Sequence, residues 1–294
     1  HLMFNVFGSI IFFIMLLLWP SFMEMTFRRW FIEPATQIAM FHTFFNTVCT
    51  IIFLPFCNVF VKISELVIRD KATEKPETFL DERILSSSSL AISQIEKETV
   101  VLSETAMEAF RTAYRSFKTR DKSLIEPTKE LIEKANFINH SILNYLIRLS
   151  AQSKLSEEHS ISNLHSNIGD IMRIAEIADN FTKYTQKSID ESLDFSDTVK
   201  REIDLMVQTV EKLYSLTKEI IKTKHADLLP QVDETENEID DFRKNLINRH
   251  IERLNTGECK PECSSVFINL VSNLERMGDH LTYIAHTTGD PVAQ

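Results

Sequence analysis

NLERMGDHLTY (273–283) restates DIMRIAEIADN (170–180) at an offset of 103 positions. Arg173 meets Arg276, Ile174 meets Met277, Ala175 meets Gly278, and Glu176 meets Asp279. The preceding segments end alike, YLIRLS (145–150) against HIERLN (250–255), at an offset of 105. The intervening loops therefore differ by two residues. A duplicated three-helix unit is the simplest account. Helix is the expected state of both copies. Between residues 86 and 286 only Gly169, Gly257 and Gly278 occur, with Pro127, Pro230 and Pro261. Apolar residues recur at three- and four-residue steps, as in Leu131, Ile132, Ala135, Ile138, Ile142, Leu143, Leu146 and Leu149. Strict alternation and dense turn signals, the marks of strands, are missing.

The breaks predict six long helices in two sets of three. Serines at 86–89 offer N-caps for a helix to about 118. A second helix runs from about 123 to 150, with Pro127 in its first turn. A third covers about 156–189. A fourth begins near 192–197 and ends before Pro230. A fifth covers 231–255, with Gly257 as its stop. The sixth starts at Pro261 and ends near 286. The soluble part is thus read as residues 86–289, in repeats of about 86–190 and 191–289, behind a linker at 63–85.

Residues 1–62 obey different physics. Their charges are Glu24, Arg28, Arg29, Glu33 and Lys62, and they hold 13 of the 21 phenylalanines. A bilayer core takes roughly 20 apolar residues as helix. Two stretches qualify, one at about 2–19 closed by Pro20 and one at about 39–61. Trp19, Arg28, Arg29 and Trp30 between them suit an interface. A short motif is also doubled here: HLMFNVFGSIIFF (1–13) returns as HTFFNTVCTIIFL (42–54). Consecutive spans run antiparallel, so the two copies would form an inverted repeat. Asn5, His42 and Asn46 are polar residues in segments otherwise built for lipid. They serve either as contacts between helices or as the lining of an ion or substrate path. Arg28 and Arg29 in the connecting loop face Lys62, Arg69, Lys71 and Lys75 after the second span. That bias predicts a multi-pass protein of the inner (plasma) membrane with its C-terminal domain in the cytoplasm.

The chain has 294 residues and a net charge of -10. That balance argues against nucleic acid, whose phosphates need a basic face. Cys49, Cys57, Cys259 and Cys263 make no disulfide framework for this length and fit a reducing compartment. The chain opens at His1 inside an apolar pattern and reads as a fragment. The basic leader and small-residue cleavage site of a signal peptide are missing.

The candidate chemistry is acidic. Glu236 and Asp240 in ENEID, and Glu275 and Asp279 in ERMGD, are pairs at i, i+4. Each pair shares a helix face, with roughly 5–6 Å between Cβ atoms. Like charges so placed repel unless something neutralises them. A hard cation held by oxygen ligands from adjacent helices would do so. A solvated acidic face is the alternative, with Arg243 and Lys244 at i+3 and i+4 from Asp240. In the first copy Met172 replaces Glu275 while Glu176 remains; if INH aligns with IDD, Ala135 and Asn139 replace Glu236 and Asp240. Any metal site should then be stronger in the second copy. Cys259, Cys263, His280 and His286 read as C-x3-C-x16-H-x5-H, whose middle spacing exceeds that of a zinc finger. No Gly-rich phosphate loop or nucleophile–His–acid set points to an enzyme.

With these motifs in place, AMFHTFFNTVCTIIFLPF (39–56) resembles the last membrane segments of bacterial sodium-dependent phosphate cotransporters. TFLDERILSSSSLAISQIEKE (78–98) is similar to the segment joining such a transporter to a PhoU-like domain. The helical part resembles PhoU, with ENEID and ERMGD at its acidic metal-binding motifs. The resemblance implies an all-α chain: two transmembrane helices followed by a six-helix PhoU-like bundle of two three-helix repeats. It implies a sodium-coupled phosphate symporter whose cytoplasmic domain binds divalent or iron-type metal ions and damps phosphate uptake or signalling. Inorganic phosphate, sodium and membrane lipid would be its ligands, and a second copy or a regulatory protein its partner. The family's Gln-Ser-Ser motifs are absent, so its substrate residues are expected upstream of His1. The alternative is a membrane-anchored PhoU-like regulator that transports nothing itself.

Overall fold

The computed structural model describes residues 2–57, 59, 78–152 and 158–289. All regular structure among them is helical. The chain divides into two units, residues 1–75 and 76–294.

In the first unit, α1 (Leu2–Leu18) is followed by the short α2 (Phe22–Met25) and α3 (Phe27–Trp30), then α4 (Pro34–Phe53), which continues as a 3-10 turn to Phe56. Pro34 sits in the first turn of α4, where its missing N–H costs nothing. Among the described residues one unbroken helix, Pro34–Phe56, is long and apolar enough to cross a membrane. It begins earlier than the apolar run suggested, because Thr36 and Gln37 extend it without charge. Among the described residues, two straight spans are therefore not what forms. The 17 residues of α1 reach only about 26 Å at 1.5 Å each. Beyond Pro20 the chain bends by 87° into Phe22–Trp30, so a second crossing exists only as a broken span.

α1 and α4 pack antiparallel. Phe4 meets Phe53 at 5.5 Å and Phe12 meets Phe45 at 4.9 Å between ring centroids, both edge to face. Between these pairs Gly8 lies against Cys49: a Cβ on Gly8 would stand 2.8 Å from the Cys49 sulfur. A shift of 41 positions turns Phe4–Phe53 into Phe45–Phe12 and puts Gly8 on Cys49. The doubled motif is thus packed against itself about a local two-fold axis.

The second unit holds six long helices among its described residues: α5 (Ser88–Thr119), α6 (Ile125–Ser150), α7 (Glu158–Asp190), α8 (Asp197–Thr223), α9 (Leu229–Asn255) and α10 (Ser264–Gly289). α5, α6 and α7 pack on one another, as do α8, α9 and α10; α7 against α10 and α5 against α8 join the sets. The fourth helix ends at Thr223, ahead of Pro230 as expected, and the fifth begins earlier than expected, at Leu229. Lys224 takes a left-handed φ of 59°, a 3-10 turn follows, and Pro230 falls inside the first turn of α9. One core runs through both sets and includes the fully buried Phe110, Phe181 and Phe267. Burying each such ring contributes about 1.5–3 kcal/mol. Between the sets, Arg111 on α5 grips Glu211 on α8 through two bonds, at 2.8 and 2.6 Å.

The end of the expected linker is part of this unit. The Phe79 N–H donates to Glu98 and the Asp81 N–H to Gln94, each at 3.1 Å. The Tyr145 hydroxyl donates to the Asp81 carbonyl at 2.9 Å, and Arg148 pairs with Glu82. Leu85 is buried in the core. Residues 78–85 therefore strap α5 to α6.

Candidate metal centre

α9 and α10 present their acidic residues to each other because of how closely they approach. Val232, Thr235, Ile239, Leu246 and His250 form the buried stripe of α9, which leaves Glu236 and Asp240 at its edge. On α10 the facing residue is Gly278. A Cβ there would lie 3.2 Å from the Ile239 side chain, so the glycine lets that side chain seat against the α10 backbone. The result brings Glu236, Asp240 and Asp279 together, with one carboxylate oxygen of each within 4.8 Å of the others. Glu236 is half-buried; Asp240 and Asp279 are exposed.

Glu275, the fourth acidic residue of the two motifs, stands beside this trio and faces Arg243 at 3.7 Å. Sequence spacing placed Arg243 with Asp240 on its own helix; the packing gives it to Glu275 across the helix pair. The electrostatics match an uncompensated cluster. Burial, then the charges of Asp240 and Asp279, raise Glu236 above its ordinary value. Burial, then Asp279, raise Glu275. Burial, then Asp240, raise Asp279. Three oxygen donors converging from two helices, with Glu236 and Asp279 held unfavourably as anions, fit a hard cation. The Arg243 guanidinium supplies part of that neutralisation from within the chain.

Other candidates separate. His280 pairs with Asp170 on α7 at 2.8 Å, and His286 with Asp233 on α9 at 2.6 Å. Neither histidine joins Cys259 or Cys263, so the cysteine–histidine zinc pattern does not assemble. Cys259 instead meets His250. In the first unit the Asn46 amide lies 3.0 Å from Nδ1 of His42, one turn away on the same helix. Asn5 is exposed on α1. The antiparallel pairing sets it toward the opposite end of the helix pair from His42. The structure therefore joins His42 with Asn46 and leaves Asn5 apart from them.

The first set carries a different surface at the matching place, and the match itself needs correction. Aligning the buried stripes of α6 and α9 pairs Thr128 with Val232, Ala135 with Ile239, Ile142 with Leu246 and Leu146 with His250. Glu236 and Asp240 then correspond to Ile132 and Asn136, not to Ala135 and Asn139. Ala135 is wholly buried and cannot stand where Glu236 meets solvent. On α7 and α10 the buried stripes agree with the sequence register, so Met172 and Glu176 match Glu275 and Asp279. Ile132 and Met172 pack against the core, and Glu176 is paired with Arg173 at 2.7 Å.

Comparison with known proteins follows the same division. The PhoU domain family matches residues 100–185 and again residues 203–288. The Escherichia coli (strain K12) protein named "Putative inorganic phosphate export protein YjbB" is 21% identical over 298 residues, covering 97% of this chain and 53% of its own length. Its Shigella flexneri counterpart matches to the same extent. The chain thus spans about half the length of the curated relatives it matches. Two solved structures share the fold. The phosphate transport system regulatory protein PhoU from Streptococcus pneumoniae has a TM-score of 0.61 at 14% identity, over 68% of this chain and 94% of that one. PhoU from Pseudomonas aeruginosa has a TM-score of 0.61 at 17% identity, over 68% and 96%.

Proposed function

This chain belongs to the PhoU domain family, and from that premise we propose that it is the C-terminal portion of a membrane protein that moves inorganic phosphate under the control of its helical domain. The observation that carries this reading is the convergence of Glu236, Asp240 and Asp279 in a bundle whose chain also contains the apolar helix Pro34–Phe56. A bound cation would supply concentrated positive charge between α9 and α10. Glu236, Asp240 and Asp279 would hold it, with Glu275 and Arg243 adjusting the charge beside it. Such a site locks two helices together when filled and lets their carboxylates repel when empty, which gives the bundle two states for a regulator to use. The relatives named for phosphate export and the PhoU regulators support phosphate as the substrate class.

Within that reading, phosphate movement is coupled to sodium, as the HxxFN spans suggest. The protein sits in the inner membrane with the bundle in the cytoplasm, following the Lys and Arg balance around the second span. The bundle keeps two three-helix repeats, of which the second retains the metal site. Phosphate flux by the full-length protein in vesicles tests coupling. Flux that drops on replacing sodium with potassium is expected; equal flux in both ions ends the sodium reading.

A second reading has its own support. With one unbroken span among the described residues, the chain would also suit a membrane-anchored regulator without transport activity. Phosphate flux by the full-length protein alone, with no other transporter in the vesicle, decides between the two.

A further inference from the structure

The turn between α9 and α10 carries chemistry that the acidic cluster does not use. Gly257 reverses the chain at a φ of 75°, and Cys259 follows, half-exposed. Its sulfur lies 3.7 Å from Nδ1 of His250 and 3.7 Å from the Lys260 carbonyl oxygen. His250 is sealed at 1% exposure, and its ring stacks on Phe267 with centroids 4.5 Å apart. Its second nitrogen, Nε2, lies 3.1 Å from the Ser264 hydroxyl. With Nε2–H donating to Ser264, Nδ1 is left as an acceptor aimed at the thiol. Burial and the nearby Arg253 charge push the imidazole down, which keeps it neutral and able to accept. Cys263, four residues on, is the opposite case. It is buried, its thiol donates to the Asp194 carbonyl at 3.7 Å, and burial pushes that thiol up. A solvent-reachable thiol held against a fixed, neutral imidazole is the arrangement of an activated cysteine.

We propose that Cys259 is a modification site that reacts with hydroperoxides, with His250 as the group that takes the thiol proton. The Cys259 sulfur attacks the terminal peroxide oxygen; an S–O bond forms as the O–O bond breaks. The thiol proton passes through His250 Nδ1 to the departing oxygen, which leaves as an alcohol, or as water when the oxidant is hydrogen peroxide. Sulfur is oxidised by two electrons, the peroxide is reduced by two, and the product is a sulfenic acid on Cys259. The turn that carries it leads directly into α10, the helix bearing Glu275 and Asp279.

The test uses the full chain in detergent, with the four cysteines followed separately by mass spectrometry. Iodoacetamide should label Cys259 roughly tenfold faster in the folded protein than in the same chain unfolded in urea. A half-exposed thiol without activation would be slowed by folding instead. Hydrogen peroxide with dimedone should mark Cys259 ahead of the exposed Cys57. His250→Gln should bring Cys259 labelling down to the unfolded rate. Ser264→Ala, which keeps the ring but frees Nε2, should lower it several-fold. Labelling of Cys259 no faster in the folded than in the unfolded wild type overturns the proposal. That comparison needs no variant to fold.

Discussion

The two three-helix sets share a scaffold and differ in one place on it. In the second set Glu236, Asp240 and Asp279 converge around a tight contact between Ile239 and Gly278. In the first set the matching positions are Ile132, Asn136 and Glu176, around Ala135 and Ala175. The buried stripes superimpose, so folding constrains both sets alike. What differs is the edge beside the stripe. There the first set has Ile132 and Met172 packed on the core and Glu176 paired with Arg173, and the second has like charges that a hard cation would neutralise. The difference teaches that one architecture can carry two surface chemistries when the helix contact beneath them is adjusted as well. The contact itself changed with the site: a large and a minimal residue in the second set replace two alanines in the first.

The sharpest way to break this comparison is to neutralise each side. Glu236→Gln with Asp240→Asn and Asp279→Asn should weaken manganese binding by ~100-fold or more in calorimetric titration of the full chain. Glu176→Gln in the first set should leave that affinity in place. Equal losses from both would show that the asymmetry is not one of metal binding. Gly278→Ala should have the next largest effect. Its methyl must push aside Ile239, opening α9 from α10, and affinity should fall by roughly tenfold while the gain in helix propensity offsets much of the strain. Adding Ile239→Ala recreates the alanine pair of the first set. The two changes should be non-additive in manganese affinity, because the residues touch. Strict additivity would mean that the contact does not shape the site.

The pH dependence should be smaller, because these carboxylates are partly exposed and screened. Glu236, Glu275 and Asp279 are all raised in the folded chain. Above the ordinary values of 4.5 for Glu and 3.8 for Asp, the unfolded chain has released protons that the folded chain still holds. Metal-free stability therefore falls as pH rises through that window and levels off above the raised folded values. Added manganese should raise the melting temperature more at about pH 7.5 than at about pH 5. The same increment at both would argue against the carboxylates as ligands. Smallest of all, Arg173→Gln removes a surface ion pair of the first set and should leave the urea unfolding midpoint essentially where it is.

Much of this molecule was legible in its residues. The apolar spacing and the scarcity of glycine and proline gave the helices of the bundle. ERMGD and ENEID named all three residues of the converging trio. Other features were not legible, for identifiable reasons. A three-residue resemblance between INH and IDD shifted the register of α6 by about one turn, because apolar steps of three and four nearly preserve a helix face. Burial of Ala135 removes that ambiguity. Arg243 could be assigned to Asp240 from spacing, yet it faces Glu275, since a partner on another helix leaves no local signature. The strap at residues 78–85 reads as linker because most of its bonds run through backbone N–H and carbonyl groups, which are alike in every residue.

By itself the sequence determined the helical state, the duplicated ERMGD-like segments, the change from apolar to charged composition after residue 62, and the acidic pairs on α9 and α10. These follow from local periodicity and residue chemistry, which need no knowledge of what packs where. The tertiary structure alone decided that the acidic pairs meet, that Gly278 serves the approach of Ile239, that Glu275 answers to Arg243, and that Cys259 rests on His250. Each is a distance between residues far apart in the chain or on different elements, set by how buried stripes of several helices fit one core.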